Sequence, residues 1–319
     1  MYRKILLALL LLTTLSCKSE NSNTVKTQED TIGVQNDTAG VQSNTDSVQS
    51  NTNSVQNDSD IVPVNTIKVH SAAMKRDIAC VVILPDNYNT ANKYPTVYLL
   101  HGYGDDETGW ITRQPRLTQL STQLQMIIVC PNGERSWYFD SPINPKMRFE
   151  TFISNELVNY IDNHYSTFRE PSKRAITGLS MGGHGAMWNA IRHQDVFGWC
   201  GTMSGGVDIR PFPTRWEISK ALGNYNTNKQ TWENHTVINQ VDKIRPGLGI
   251  IIDCGTEDFF FKVNQNLHQA LTQRKIPHNY STRPGNHSWN YWNVSIIYHL
   301  NFFSKGFGNL KVQKSAKAA

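Results

Sequence analysis

The chain has 319 residues, a formal net charge of +5 at neutral pH and 39% apolar residues. That length leaves room for two average domains, although an α/β fold of about 250 residues is routinely a single one. Its cationic residues are scattered or sit in a basic tail over residues 307–319 (Lys311, Lys314, Lys317). They form no Arg/Lys stripe interleaved with aromatics, which argues against nucleic acid as a partner.

The low apolar share comes from the front of the chain. Arg3 and Lys4, an apolar run over residues 5–12 and Thr13-Thr14-Leu15-Ser16 before Cys17 make an export signal over residues 1–17. The run is too short to span a bilayer, which takes about 20 residues. Cys17 after a small residue resembles the bacterial lipoprotein signal, although Thr14 stands where that signal prefers leucine. The resemblance implies a lipidated Cys17, an exported and membrane-anchored chain, and membrane contact through the anchor only. Ordinary signal cleavage would leave a secreted chain. Residues 18–61 are low in complexity, with Val-Gln recurring at 34, 41, 48 and 55. A coiled coil needs two apolar positions per heptad and this repeat has one, so the tract is expected to be a disordered tether.

From residue 62 to 306 the pattern is that of a catalytic domain. Residues 62–70 and 77–84 alternate apolar and polar, as two half-exposed antiparallel strands do. Thr96-Val97-Tyr98-Leu99-Leu100 is continuously apolar, as in a strand covered on both faces, and ends in His101-Gly102-Tyr103-Gly104. A helix over 117–124, a strand over 126–130 and a long amphipathic helix over 149–164 follow. Strands are predicted at 174–179, 199–203, 249–254 and 279–282, with helices at 182–190, 261–274 and 289–303. This alternation predicts an α/β fold with a mostly parallel sheet of about eight strands and helices on both faces.

Gly178-Leu179-Ser180-Met181-Gly182 joins an apolar strand to a small-residue helix start. In that context G-x-S-x-G is a strained elbow that exposes the serine oxygen beside a helix N-terminus. A serine hydroxyl needs a base, and the base needs an orienting acid, in the chain order Ser, acid, His. Asp253, Glu257 and Asp258 are the candidate acids. Asp258 is preferred because Asp253 lies within a strand. His287, in Pro284-Gly285-Asn286-His287 after the last strand, is the expected base. The oxyanion is expected to meet the Met181 N–H and a second N–H from Tyr103 or Gly104. His101 is expected to hydrogen-bond structurally beneath that loop. Trp137 and Tyr138, on a loop after a strand, and Trp289 beside the base are candidate substrate-binding residues. Such aromatics equally well close a core. The remaining cysteines sit in apolar runs without metal-ligand spacing, so no metal or cofactor is expected.

His101-Gly102, Gly178-Leu179-Ser180-Met181-Gly182-Gly183, Cys254-Gly255-Thr256-Glu257-Asp258-Phe259 and Gly285-Asn286-His287-Ser288-Trp289 together resemble the esterase D-type branch of the α/β-hydrolases. That branch includes feruloyl and acetyl esterases, tributyrin-type esterases, S-formylglutathione hydrolases and mycolyltransferases. The resemblance implies the α/β-hydrolase fold, an acyl-enzyme mechanism and a triad of Ser180, Asp258 and His287. It also implies a small-molecule or polysaccharide ester as substrate, with acetyl, feruloyl or another short acyl group. Transfer of the acyl group to a sugar hydroxyl uses the same residues and stays open beside hydrolysis. A non-catalytic binding module is the reading from a different class. Residues 209–246 are expected to form a small insertion bearing Trp216, Tyr225 and Trp232.

Overall fold

The computed structural model describes residues 64–308. The export signal with Cys17, the tract 18–61 and the tail beyond residue 308 lie outside the described residues. Eight strands occur in chain order: β1 (Val64–Ser71), β2 (Arg76–Ile83), β3 (Thr96–Leu100), β4 (Ile127–Pro131), β5 (Arg174–Gly178), β6 (Trp199–Met203), β7 (Gly249–Gly255) and β8 (Asn279–Arg283). They form one sheet in the order β1-β2-β4-β3-β5-β6-β7-β8. β2 pairs antiparallel with β1 and β4, and every other pair is parallel.

The helices are α1 (Gly109–Arg113), α2 (Leu117–Leu124), α3 (Phe149–Thr151), α4 (Val158–His164), α5 (Met181–Arg192), α6 (Ile218–Leu222), α7 (Lys229–Asn234), α8 (Phe261–Gln273) and α9 (Trp289–Gly306). Strand periodicity explains the two cores. Tyr98 and Leu100 of β3 face one cluster with α5 and α8, whereas Val97 and Leu99 face a second with α2 and α9. Sandwiched β3, β4 and β5 are buried at every position, and edge strand β8 is not.

Two boundaries differ from expectation. The single helix predicted over 149–164 is α3 and α4 joined by a π-helical turn, Phe152–Leu157. Glu156 in that turn accepts hydrogen bonds from the Ser71 hydroxyl and the Ala73 N–H, which ties the turn to the β1–β2 hairpin. Phe307, assigned to the basic tail, is buried in the core that holds α9. Among the described residues no helix is long and apolar enough to cross a membrane.

The strand order reverses at β3: β4 lies on one side of it and β5 returns to the other. Open α/β sheets bind ligands outside the carboxyl ends of their strands at such a switch point. Leu100 is in register with Gly178, so the His101 loop and the Ser180 turn emerge side by side there.

Candidate active site

Ser180 joins β5 to α5 with φ 55° and ψ −116°, a conformation that non-glycine residues rarely hold. Its N–H donates to the Met203 carbonyl at 2.9 Å, and its own carbonyl accepts from the His184 and Gly206 N–H groups. The elbow glycines are needed for close approach. A Cβ on Gly182 would stand 2.5 Å from the Leu100 carbonyl oxygen, and one on Gly178 would stand 2.6 Å from the Gly182 carbonyl carbon. With hydrogen in those places, α5 starts directly against β3.

The structure brings Ser180, Asp258 and His287 together. His287 Nε2 lies 2.9 Å from Ser180 Oγ, and His287 Nδ1 lies 2.8 Å and 3.1 Å from the two Asp258 oxygens. A carboxylate can only accept, so Nδ1 carries the ring proton and Nε2 presents its lone pair to the serine hydroxyl. Asp258 is held in the turn after β7, where its Oδ1 also accepts the Phe260 N–H at 2.8 Å. Its side chain is wholly buried, while that of His287 keeps 17% of its surface open. Asp253 is directed elsewhere, onto Arg283, and Glu257 is exposed.

Around the serine, the N–H groups of Met181, Tyr103 and Gly104 have no acceptor among the described residues. Met181 opens α5, where the first N–H groups lack helical partners. Gly102 brings the second loop near, since a Cβ on it would stand 3.5 Å from Ser180 Cβ. His101 lies beneath, buried, with Nδ1 donating to the Gly102 carbonyl at 2.8 Å and Nε2 accepting the Gly133 N–H at 2.8 Å. Those roles fix its neutral form, and burial lowers its pKa. The thiols of Cys80, Cys130, Cys200 and Cys254 are free and buried, and burial raises their pKa values, so none offers a thiolate. Among the described residues no three His, Cys, Asp or Glu gather as a metal site.

Two of the proposed substrate contacts need correction. Trp137 is 1% exposed and Tyr138 is 0% exposed, which leaves neither ring any surface to offer a ligand. The Trp137 indole N–H donates to the Trp216 carbonyl at 3.1 Å, and the Tyr138 hydroxyl donates to the His101 carbonyl at 3.2 Å. Both rings are core supports for the loops above them. Trp289 is half-buried, edge-on to Trp110 and beneath the Arg113 guanidinium. The rings beside the base are Phe259, 4.2 Å away, Trp292, 4.8 Å away, and the buried Phe260, 5.5 Å away. Phe259 is 51% exposed and stacks on Trp216 at 5.5 Å. Sequence reading overlooked Phe259. Its signal was the run Phe259-Phe260-Phe261 directly after the acid, too many large rings for one helix start to bury.

The doubly wound sheet with a serine elbow at its switch point defines an α/β-hydrolase fold, and the comparisons with known proteins narrow the class. Residues 71–303 match the family model described as "Putative esterase", and the chain belongs to this esterase family, the carboxylic ester hydrolases. Over 260 residues it is 26% identical to an acetyl esterase of Caldicellulosiruptor saccharolyticus, covering 75% of this chain and 97% of that enzyme. Over 156 residues it is 31% identical to the diacylglycerol acyltransferase/mycolyltransferase Ag85B of Mycobacterium avium, covering 46% of this chain and 45% of that protein. A solved ferulic acid esterase is similar with a TM-score of 0.68 at 28% identity, covering 77% of this chain and 98% of that one.

Proposed function

We propose that this esterase works by a serine acyl-enzyme route. Ser180 Oγ attacks the ester carbonyl carbon while His287 Nε2 takes its proton, and Asp258 holds the ring and balances the imidazolium that forms. The Met181 N–H and an N–H of Tyr103 or Gly104 receive the oxyanion. His287 then returns the proton to the departing alcohol oxygen, and water repeats the sequence to release the acid. The observation that carries this reading is the relay of 2.8 Å and 2.9 Å contacts from Asp258 through His287 to Ser180.

Short or aromatic acyl groups, acetyl and feruloyl among them, on carbohydrate or small esters are the substrates this reading favours. Its support is the likeness to an acetyl esterase and a ferulic acid esterase, together with the open face of Phe259 beside the base. Export on a lipidated Cys17 would place such an enzyme on polymer outside the cytoplasm. Turnover of p-nitrophenyl acetate and methyl ferulate by the parent and by Ser180→Ala tests the mechanism. The variant should lose about 10³-fold or more. Equal rates in both would overturn the assignment. Likeness to a mycolyltransferase favours acyl transfer as the second reading. Product analysis with an added sugar acceptor separates the two, since transfer leaves an esterified sugar and hydrolysis leaves free acid.

A further inference from the structure

The loop that faces Ser180 is a four-residue turn. The Asp105 N–H donates to the Gly102 carbonyl at 3.2 Å, with Tyr103 and Gly104 between them. Gly104 takes φ 83°, the value a type II turn needs at its third position. An oxyanion donor works only when it is aimed, so whatever holds this turn matters to the rate. On one side Asp105 pairs with Arg113 of α1, and its carboxylate fills the place that a Cβ on Gly109 would need. On the other side packing is sparse. A cavity of about 390 Å³ reaches Gly104, Arg135, Met147 and Glu217, and a Cβ on Gly104 would meet nothing within 4 Å.

Side chains hold the turn there instead. The Tyr103 ring is half-buried against the larger core, and the Arg135 guanidinium lies 5.3 Å from its centre. Arg135 Nη1 is 3.4 Å from the Glu217 carboxylate, which also accepts from Lys220 Nζ. The Tyr103 hydroxyl shares that carboxylate. Burial and then the Glu217 charge raise the phenol pKa, while Lys220 and, to a smaller degree, the Tyr103 hydroxyl lower that of Glu217. Trp216 and Glu217 hold φ of 46° and 51°, left-handed conformations that non-glycine residues rarely adopt. Such strain persists only where the surroundings fix it. Here the Trp137 indole holds the Trp216 carbonyl, and the Trp216 ring packs on Phe259, Phe260 and Phe212. One strained dipeptide from the stretch 209–246 thus touches both Phe259, next to the acid, and Tyr103, in the oxyanion loop.

We propose that Glu217 is a positioning residue for the ester reaction: through the Tyr103 hydroxyl it holds the turn 102–105 so that the N–H groups there meet the oxyanion. The role rests on the serine acyl-enzyme reading. Exposed ion pairs contribute little to stability, so the effect falls on rate and not on folding. Losing one oxyanion donor outright costs about 10²–10³ in rate, and misaiming one costs a part of that. Glu217→Ala and Tyr103→Phe should each lower kcat/KM for p-nitrophenyl acetate by about ten-fold, with the melting temperature unmoved. The double variant should fall no further, because both changes break one contact. Glu217→Gln still accepts from the phenol and should recover most of the rate. Asp242→Ala breaks an exposed ion pair with Arg274 elsewhere and should match the parent.

A trifluoromethyl ketone reads the aim of the donors directly. Its carbonyl carbon takes the Ser180 oxygen, the serine proton passes to His287, and its own oxygen becomes the oxyanion. Its inhibition constant should rise about ten-fold in Glu217→Ala and in Tyr103→Phe, in step with the loss of kcat/KM. Equal inhibition of the parent and Glu217→Ala, or losses that add in the double variant, overturns the positioning role and leaves the serine route standing. A parent that the ketone fails to inhibit overturns the serine route, and the positioning role with it.

Discussion

Arg283 Nη1 lies 3.0 Å and 2.8 Å from the two carboxylate oxygens of Asp253, while its Nη2 donates to the Tyr291 carbonyl and the Ser295 hydroxyl. The Tyr291 hydroxyl donates to the same carboxylate. Two acids near the end of β7 therefore do different work: Asp253 ties β7 to β8 and α9, and Asp258 faces His287.

Substitution should separate them. Asp253→Ala leaves the Arg283 guanidinium without its carboxylate and should cost about 3–5 kcal/mol of stability. Asp258→Asn keeps an oxygen for the Phe260 N–H but no longer fixes the His287 tautomer, and should lower kcat by about 10⁴-fold with little change in stability. Denaturant unfolding and ester turnover on both variants check this. A stable, inactive Asp253→Ala protein would reverse the assignment.

The aromatic residues divide in the same way. Phe259→Ala removes an exposed ring beside His287 and should raise KM for aryl esters several-fold without moving the melting temperature. Trp137→Ala empties a buried site and strands the Trp216 carbonyl, so it should cost about 3–5 kcal/mol. Melting curves beside KM for methyl ferulate and p-nitrophenyl acetate read both effects.

Acid should destabilise the fold in two stages. Burial pushes His184 and His299 down to about 4. Below about 6.5 the unfolded chain binds protons at both rings that the folded chain refuses, so stability is full above 6.5 and falls toward pH 4. Hydrogen bonds from His193 and Arg192 hold Glu150 near 2 despite burial. Its contribution is present above about 4.5 and is lost as pH falls from there toward 2. Melting temperatures measured down this range should decline through both windows, and His299→Gln should flatten the upper one. A melting temperature constant from about pH 7 to 4 would contradict this account.

Much of this was legible in the sequence because it is local. Continuous apolar runs mark β3 and β4, which are buried on both faces, and alternation marks β1. The elbow is a fixed spacing of glycines about Ser180, Asp258 follows the apolar run of β7, and His287 lies in the glycine-containing turn after β8. Trp137 and Tyr138 could not be placed by such means. Both adopt positive φ, 57° and 60°, and turn inward from a loop. Tyr138 has room only because Gly133 in the same loop and Gly185, distant in the chain on α5, carry no Cβ. The Asp253–Arg283 pair and the Glu150 cluster likewise join residues far apart in sequence, and no periodicity announces them.

The most direct test of the central claim is to find where the acyl group rests during turnover. The protein is mixed with p-nitrophenyl acetate, quenched in acid, digested and analysed by peptide mass spectrometry. The account predicts one acetyl group on the peptide containing Ser180, localised to that residue and absent from Ser180→Ala. Acetyl on another residue, or turnover that persists in Ser180→Ala, would contradict it.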